Sequence, residues 1–420
     1  MIPVKSSSLK NFMKSILQFI LKILSKLTLW RYKPDVISIT GSVGKTSAKE
    51  AIYAVLGSYY SVRRSTKNYN NEIGVPITVI GVESAGSSFF GWLAVFLKAF
   101  KNFIIKEKNY PEILIIEMGA DRPGDIEYLV KFIKSKTAVI TAIGEIPVHV
   151  EFFSGPLSVA REKSKLVEGL SAGEYAVLNY DDEVVREMGD KIKAHVISYG
   201  FGEGADVRGE GISISLGGTN FKVDCRGSFI PVKIPSAFGK GQVYSALAAI
   251  SVGLVYKLNL VEISEALMKY KSPQGRLNLI RGVKNTIIIN DTYNASPASM
   301  KEAIETLDAL PAKRKVAVLG DMLEIGRFTE AAHRAVGELV IKTADLLFAV
   351  GERAKFISDE AKSMGFSEER IFEFCESAEA GVILQEKIKE GDLILIKGSR
   401  AMKMEKIVEE ISALGTIKTE

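Results

Sequence analysis

Nine residues, Ile39–Ser47 (ITGSVGKTS), have the make-up of a phosphate cradle, lying directly after the apolar run DVISIT and directly before a helical pattern. Gly41 and Gly44 allow the backbone N–H groups around Ser42 and Val43 to converge on phosphate oxygens. The helix that follows offers the positive end of its dipole, Lys45 adds a charge, Thr46 suits Mg2+ and Ser47 brings a further hydroxyl. The spelling departs from GxxxxGK[ST], because Ile39 stands where the first glycine would be. Glu117 closes the apolar run EILIIEMG at the carboxyl edge of a strand, where open α/β sheets bind ligands. A carboxylate there serves as a magnesium ligand, a helix cap or a surface charge. His149, after the next strand, reads as a ligand or a surface residue. Lys163, in AREKSKLVEG, reads by itself as one more solvated charge on a helix. No Ser-His-Asp or Cys-His arrangement for covalent catalysis is visible. Phosphoryl transfer or phosphate-driven ligation remains, chemistry made mostly of positioning and of charge neutralisation by lysine and magnesium.

Those residues need strands that end at one edge. From Asp35 onward short apolar runs alternate with helical patterns: DVISIT, EILIIEMG and TAVITAIG, each followed by a helix. This is the pattern of a parallel sheet covered on both faces. Between Asp206 and Pro235 alternating residues and glycine-rich turns predict antiparallel hairpins. After Ser272 a second alternation begins with TIIIND, KVAVLGD, LLFAVG, RIFEF and DLILIKGS, and SPQGR at 272–276 marks the boundary. The expected chain is α/β: an N-terminal helix over 1–33, a P-loop central domain with a parallel sheet and a β-rich insertion over 34–272, and a smaller Rossmann-like α/β domain over 273–420.

Length and composition agree with a globular protein of two or three domains: 420 residues, 47% hydrophobic and 25% charged. A net charge of +5 suits anionic ligands and is too small and too scattered to argue for nucleic acid. Cys225 and Cys375 lie far apart, and His149, His195 and His333 lack metal-site spacing, which excludes a disulfide scaffold and a structural zinc site. A reducing cytoplasm is the default.

Residues 9–30 carry lysines throughout and no small-residue cleavage site, so no signal peptide is predicted. Lys10, Lys14, Gln18, Lys22 and Lys26 recur every four residues, with Phe12, Ile16, Phe19, Ile20, Ile23 and Leu27 filling the other faces. The helix is amphipathic and its apolar runs are too short to span a bilayer. It either lies on a membrane surface or packs on protein. Phe89–Ile105, interrupted by Lys98 and Lys101, is expected to be a packed helix, with membrane contact as the alternative.

Six motifs occur in order: ITGSVGKTS, NYNNEIGVP (68–76), EMG (117–119), NDTYNASPASM (290–300), LGDMLEIG (319–326) and KGSRAMKME (397–405). On these residues the chain, from about residue 34 to its end, resembles the Mur ligases. TYNASPASM and LGDMLEIG with the downstream His333 resemble the branch that adds D-alanyl-D-alanine to UDP-N-acetylmuramoyl tripeptide. The resemblance implies an ATP- and Mg2+-dependent amide ligase of peptidoglycan synthesis that works through an acyl phosphate. It also implies roles: Lys45 gripping phosphate, Thr46 and Glu117 as magnesium ligands, and His149 at a second magnesium. By the same resemblance Lys163 is carbamylated, making a carboxylate that bridges toward magnesium, Asn290 and Asp291 meet the nucleotide from the C-terminal domain, and Arg276 sits at the domain junction.

Three departures stand out. Family members usually carry an N-terminal UDP-binding domain of about a hundred residues, and here a short basic segment precedes the loop. The adenine-side pattern GxHNxxNxxAA reads GKGQVYSALAA over 239–249, where Gln242 still offers a donor and an acceptor. Lys165 replaces an acidic residue. The expected setting is the cytoplasm, at the inner membrane face if residues 9–30 bind it, with a UDP-linked or lipid-linked muramoyl peptide and D-alanyl-D-alanine as substrates. The alternatives are a related amide ligase with another acceptor, cyanophycin-like or folylpolyglutamate-like, or a membrane-associated nucleotide-binding scaffold.

Overall fold

The computed structural model describes residues 5–66, 69–86 and 88–413. Asn68, which opens NYNNEIGVP, the side chain of Lys10, and the chain ends at 1–4 and 414–420 lie outside the described residues. A long helix, α1 (Lys5–Tyr32), comes first. Strand and helix then alternate: β1 (Asp35–Thr40), α2 (Lys45–Leu56), β2 (Val62–Arg64), α3 (Gly74–Ile80), α4 (Phe89–Ile104), β3 (Ile113–Glu117), α5 (Asp125–Val130), β4 (Thr137–Ile140), α6 (Pro156–Glu168), β5 (Tyr175–Asn179), α7 (Glu183–Gly189) and β6 (His195–Gly200). Hairpin strands β7 (Val207–Ser215), β8 (Gly218–Cys225) and β9 (Ser228–Ile234) follow, then α8 (Lys240–Val255) and α9 (Leu260–Leu267).

These strands form one sheet in the order β2-β3-β1-β4-β5-β6-β7-β8-β9, parallel as far as β7 and antiparallel beyond it. The hairpins expected as an insertion therefore extend the edge of the parallel sheet. β3 and β4 are buried along their whole length, which is why their sequences are unbroken apolar runs. Ile52 and Val55 of α2 share one face with Leu247, Ile250 and Ile263. Ile126, Leu166 and Val185 cover the other.

The second sheet holds β10 (Asn278–Arg281), β11 (Ile287–Asp291), β12 (Lys315–Gly320), β13 (Leu346–Val350), β14 (Ile371–Phe374) and β15 (Leu393–Lys397), in the order β10-β11-β15-β12-β13-β14. Only the β10 pairing is antiparallel. Helices α10 (Pro297–Ala309), α11 (Thr329–Thr343), α12 (Lys355–Ser363), α13 (Ser377–Lys387) and α14 (Glu405–Ile411) flank it. The two units share an apolar cluster in which Val150 and Val159 meet Met300, Met322 and Ile325. This contact seats the second unit over the ends of β1, β3 and β4, where the phosphate loop lies.

Candidate active site

The loop between β1 and α2 is held from one side by the end of β4. Ser42 and Val43 donate their N–H groups to the Ala142 carbonyl at 2.6 and 3.1 Å, and Thr141 Oγ1 donates to the Val43 carbonyl at 2.6 Å. Gly41 has φ 150°, and a Cβ there would lie 2.0 Å from Thr141 Oγ1. Glycine is required by both the conformation and the contact. The N–H groups left for an anion are those at the start of α2, which a helix cannot satisfy internally.

Two lysines point at this loop from different helices. Lys45 Nζ donates to the Gly41 carbonyl at 2.8 Å, and Lys163 Nζ donates to the same oxygen at 3.0 Å. Burial pushes Lys163 down to about 7, and the neighbouring Lys45 charge adds to the effect. Burial also lowers Lys45, against the opposing pull of Glu117. The charge that reads as solvated in sequence is thus 2% exposed and aimed at the loop.

Glu117, at the end of β3, accepts from Thr46 Oγ1 at 3.1 Å and from Asn70 Nδ2 at 3.4 Å. Lys49, one turn beyond Lys45 on α2, brings its Nζ within 3.6 Å of the same carboxylate and is itself buried. His149, held at φ 67°, has Nε2 3.4 Å from Asp121 and Nδ1 2.7 Å from Glu324 of the second unit. Burial keeps its imidazole below the usual pKa, with Asp121 and Glu324 opposing and Lys45 and Lys163 reinforcing the shift.

Beside the loop a cleft of about 540 Å3 is lined by Gly44, Ser47, Gln242, Arg276, Asp291 and Glu302, among others. Both ends of the Gln242 amide are engaged by protein: its oxygen accepts from Tyr270 at 2.6 Å and its nitrogen donates to the Arg276 carbonyl at 3.4 Å. The Arg276 guanidinium lies 4.1 Å from the Tyr293 ring centroid. Asp291 accepts from Lys397 Nζ at 2.5 Å. Asn290 turns inward, where its side-chain oxygen accepts from the Thr292 hydroxyl and N–H, and it is not part of the cleft wall.

Among the described residues no group of three or more His, Cys, Asp or Glu gathers to hold a metal. Mg2+ ordinarily needs no such cage, because it keeps several waters and binds through one or two carboxylates and substrate phosphates. Thr46 beside Glu117 meets that requirement. Ser42 Oγ is buried without a hydrogen-bond partner, an orphaned polar atom that suits a phosphate–cation group at the loop. His149 Nδ1, although close to Glu324, is not aligned to hydrogen-bond with it.

Sequence reasoning missed Lys49, Asp121, Glu302 and Glu324. Lys49 alone had a readable signal, its spacing of four from Lys45 on one helix.

The Mur ligase middle domain matches residues 99–253, and the Mur ligase glutamate ligase domain matches residues 275–400. The UDP-N-acetylmuramoyl-tripeptide--D-alanyl-D-alanine ligase of Bacillus subtilis is 32% identical over 93% of this chain and 79% of its own length. The chain belongs to the Mur ligase family. The Escherichia coli ligase of the same name is 28% identical over 91% of this chain and 77% of its own. The structure of the MurF ligase of Thermotoga maritima in complex with ADP superposes with a TM-score of 0.77 at 26% identity, covering 94% of this chain and 83% of that one. As a Mur ligase the chain forms its carbon–nitrogen bond at the expense of a nucleoside triphosphate, and the family resemblance carried by the six ordered motifs is borne out.

Proposed function

We propose that this chain joins D-alanyl-D-alanine to UDP-N-acetylmuramoyl tripeptide with conversion of ATP to ADP. The observation that carries the ligase chemistry is the pair of lysines, half-buried Lys45 and buried Lys163, on the Gly41 carbonyl beside the Thr46–Glu117 contact. The relatives' names support the substrates. The γ-phosphate passes to the tripeptide carboxylate, ADP leaves, and the dipeptide amine displaces phosphate from the acyl phosphate to form the amide. Lys45 neutralises charge on the transferring group. The second unit, packed over the loop through Val150, Val159 and Met300, keeps out water that would hydrolyse the acyl phosphate.

Thr46, Glu117 and His149 are the residues that would hold Mg2+, which supplies positive charge against the phosphates. Lys163, with its amine near 7, has a large neutral fraction at physiological pH. A neutral amine is the form that adds CO2, giving a carbamate and releasing a proton. Gln242, Arg276 and Asp291 line the cleft that would take the nucleotide, and Asn290 shapes the turn beside it. ATP and a UDP-linked precursor assign the reaction to the cytoplasm.

Purified protein with ATP, Mg2+ and UDP-N-acetylmuramoyl tripeptide tests this. Phosphate release that requires D-alanyl-D-alanine, with the dipeptide mass added to the product, is the expected result. Release that responds to a single amino acid and not to the dipeptide would assign another acceptor and overturn the substrate reading.

A further inference from the structure

The positive excess that reads as scattered when taken over the whole chain is in fact unevenly placed along it. Residues 1–34 hold seven Lys or Arg and no Asp or Glu, and residues 84–106 hold three Lys and no acid. With these ten removed from 55, the remaining chain has 45 basic against 50 acidic residues, so the whole positive excess sits in two segments. Those segments carry α1 and α4, which lie side by side. Trp30 and Phe103 rings are 6.4 Å apart, and the Tyr32 hydroxyl donates to the Asn102 carbonyl at 2.7 Å.

Both helices bury an inner stripe in one small core, where Leu21 and Ala99 meet Ile77 and Ile80 of α3. The middle of the polar stripe of α1 has protein partners. Lys14 pairs with Glu72 at 2.8 Å, Gln18 donates to the same carboxylate at 2.8 Å, and Lys22 lies 4.8 Å from the Tyr128 ring centroid. Outward on α1 runs an apolar stripe, Phe12, Ile16, Phe19, Ile23 and Trp30, at helical spacing, with Phe19 63% exposed. The expectation of a packed helix over 89–105 holds for only one of its faces. Trp92, Phe96 and Ala99 pack, whereas Leu93, Leu97, Phe100 and Ile104 form a second outward stripe, with Leu97 62% exposed. Lys26, Lys98 and Lys101 are exposed beside these stripes. Among the described residues no helix is long and apolar enough to cross a membrane.

We propose that the α1–α4 face docks on an anionic lipid bilayer, its apolar stripes entering the headgroup boundary and its lysines meeting the negative surface. Two adjacent helices that turn long apolar stripes outward among lysines, with no acid, have the chemistry of an interfacial surface. A second copy of the chain is a poor occupant, because an isologous interface would set the exposed Lys26, Lys98 and Lys101 against their own copies with no carboxylate from either segment to pair them. Docking also fixes where the reaction occurs. Glu72, gripped by Lys14 and Gln18, lies in the NYNNEIGVP loop, whose Asn70 reaches Glu117. The inference stands apart from the ligase reading, since lipid binding is measured without turnover.

Co-sedimentation of the full chain with vesicles tests it. The protein is expected to pellet with equimolar phosphatidylglycerol and phosphatidylcholine and to pellet at least tenfold less with phosphatidylcholine alone. The double variant Phe19→Asp/Leu97→Asp is expected to lose pelleting tenfold or more while keeping ATP binding and a cooperative melt. Lys26→Glu/Lys98→Glu, which leaves the apolar stripes intact, is expected to weaken pelleting on anionic vesicles specifically. Wild-type protein that stays in the supernatant with anionic vesicles would overturn the proposal. So would a concentration-dependent dimer, seen by light scattering, that the double variant makes monomeric without any vesicle binding.

Discussion

Lys45 and Lys163 donate to the same carbonyl oxygen, that of Gly41, at 2.8 and 3.0 Å. One lysine comes from the helix that closes the loop and the other from α6, more than a hundred residues later. Two amines on one carbonyl oxygen favour a single charge between them: burial and the Lys45 charge push Lys163 down to about 7, so that Lys45 carries the charge and Lys163 is largely uncharged near neutral pH. Lys163→Ala should therefore abolish ligation, lowering kcat by roughly 10³-fold or more, while ATP affinity measured by calorimetry stays within a few-fold because the loop and Lys45 are untouched. Full activity in Lys163→Ala would remove this lysine from the reaction.

Glu302 gives a pH signature. It accepts from the Gly241 N–H at 2.8 Å, and burial followed by the nearby Asp291 charge pushes its carboxyl up to about 7. Between 4.5 and 7 the folded chain holds a proton that the unfolded chain has released, so stability falls as pH rises through this window, and above 7 the full cost is present. Glu302→Gln keeps an acceptor for Gly241 and removes the charge. It should raise the melting temperature at pH 8, with a gain on the order of 2–3 kcal/mol, and leave it unchanged at about pH 4.5, where the carboxyl is protonated in the folded chain. An equal shift at both pH values would show that ionisation is not the cause.

The parts of the site that were legible in sequence are those fixed by local chain geometry. The strand, loop and helix around Ile39–Ser47 follow from an apolar run, two glycines and a helix start. Glu117 follows from its place at a strand's end. Lys163 was legible only through the family's motif spacing, because its burial is set by the packing of α6 beneath the loop, which no local pattern encodes. Glu302 and Glu324 were invisible for the same reason: each looks like a surface acid until the second unit brings it to Gly241 or His149. The sheet order explains the remaining difference in fold, since the hairpin strands pair onto β6 through a two-residue parallel contact, Tyr199 with Val207 and Gly200 with Arg208, too short to leave a sequence signal.

Gly41 tests the loop directly. Its φ of 150° and the 2.0 Å that would separate an alanine methyl from Thr141 Oγ1 leave no room for a side chain. Gly41→Ala should weaken ATP binding at least tenfold by calorimetry, because the carbonyl shared by Lys45 and Lys163 must move. Adding Thr141→Ser, which keeps the hydroxyl, should give little recovery, whereas full recovery would mean that the threonine methyl is the obstacle.

His333 holds the LGDMLEIG loop from beneath. It is fully buried, its Nε2 accepts from the Met322 N–H at 3.0 Å, and its Nδ1 lies 2.6 Å from the Thr329 carbonyl. Those partners assign the proton to Nδ1 and the neutral form, in keeping with a pKa lowered chiefly by burial. Below its ordinary value of about 6.5 the unfolded chain binds a proton that the folded chain does not, so stability is lost as pH falls through that range. His333→Ala leaves the Met322 N–H unsatisfied and opens a cavity, together costing roughly 2–4 kcal/mol, and it removes this histidine's share of the acid-side slope. The loop also carries Glu324 to His149. The variant should therefore lose ligase activity at temperatures well below its own melting point. Melting curves from about pH 5 to 8, spanning the ordinary histidine range, beside ligation rates at room temperature check both effects, and an unaltered rate with a lowered melting temperature would confine His333 to stability.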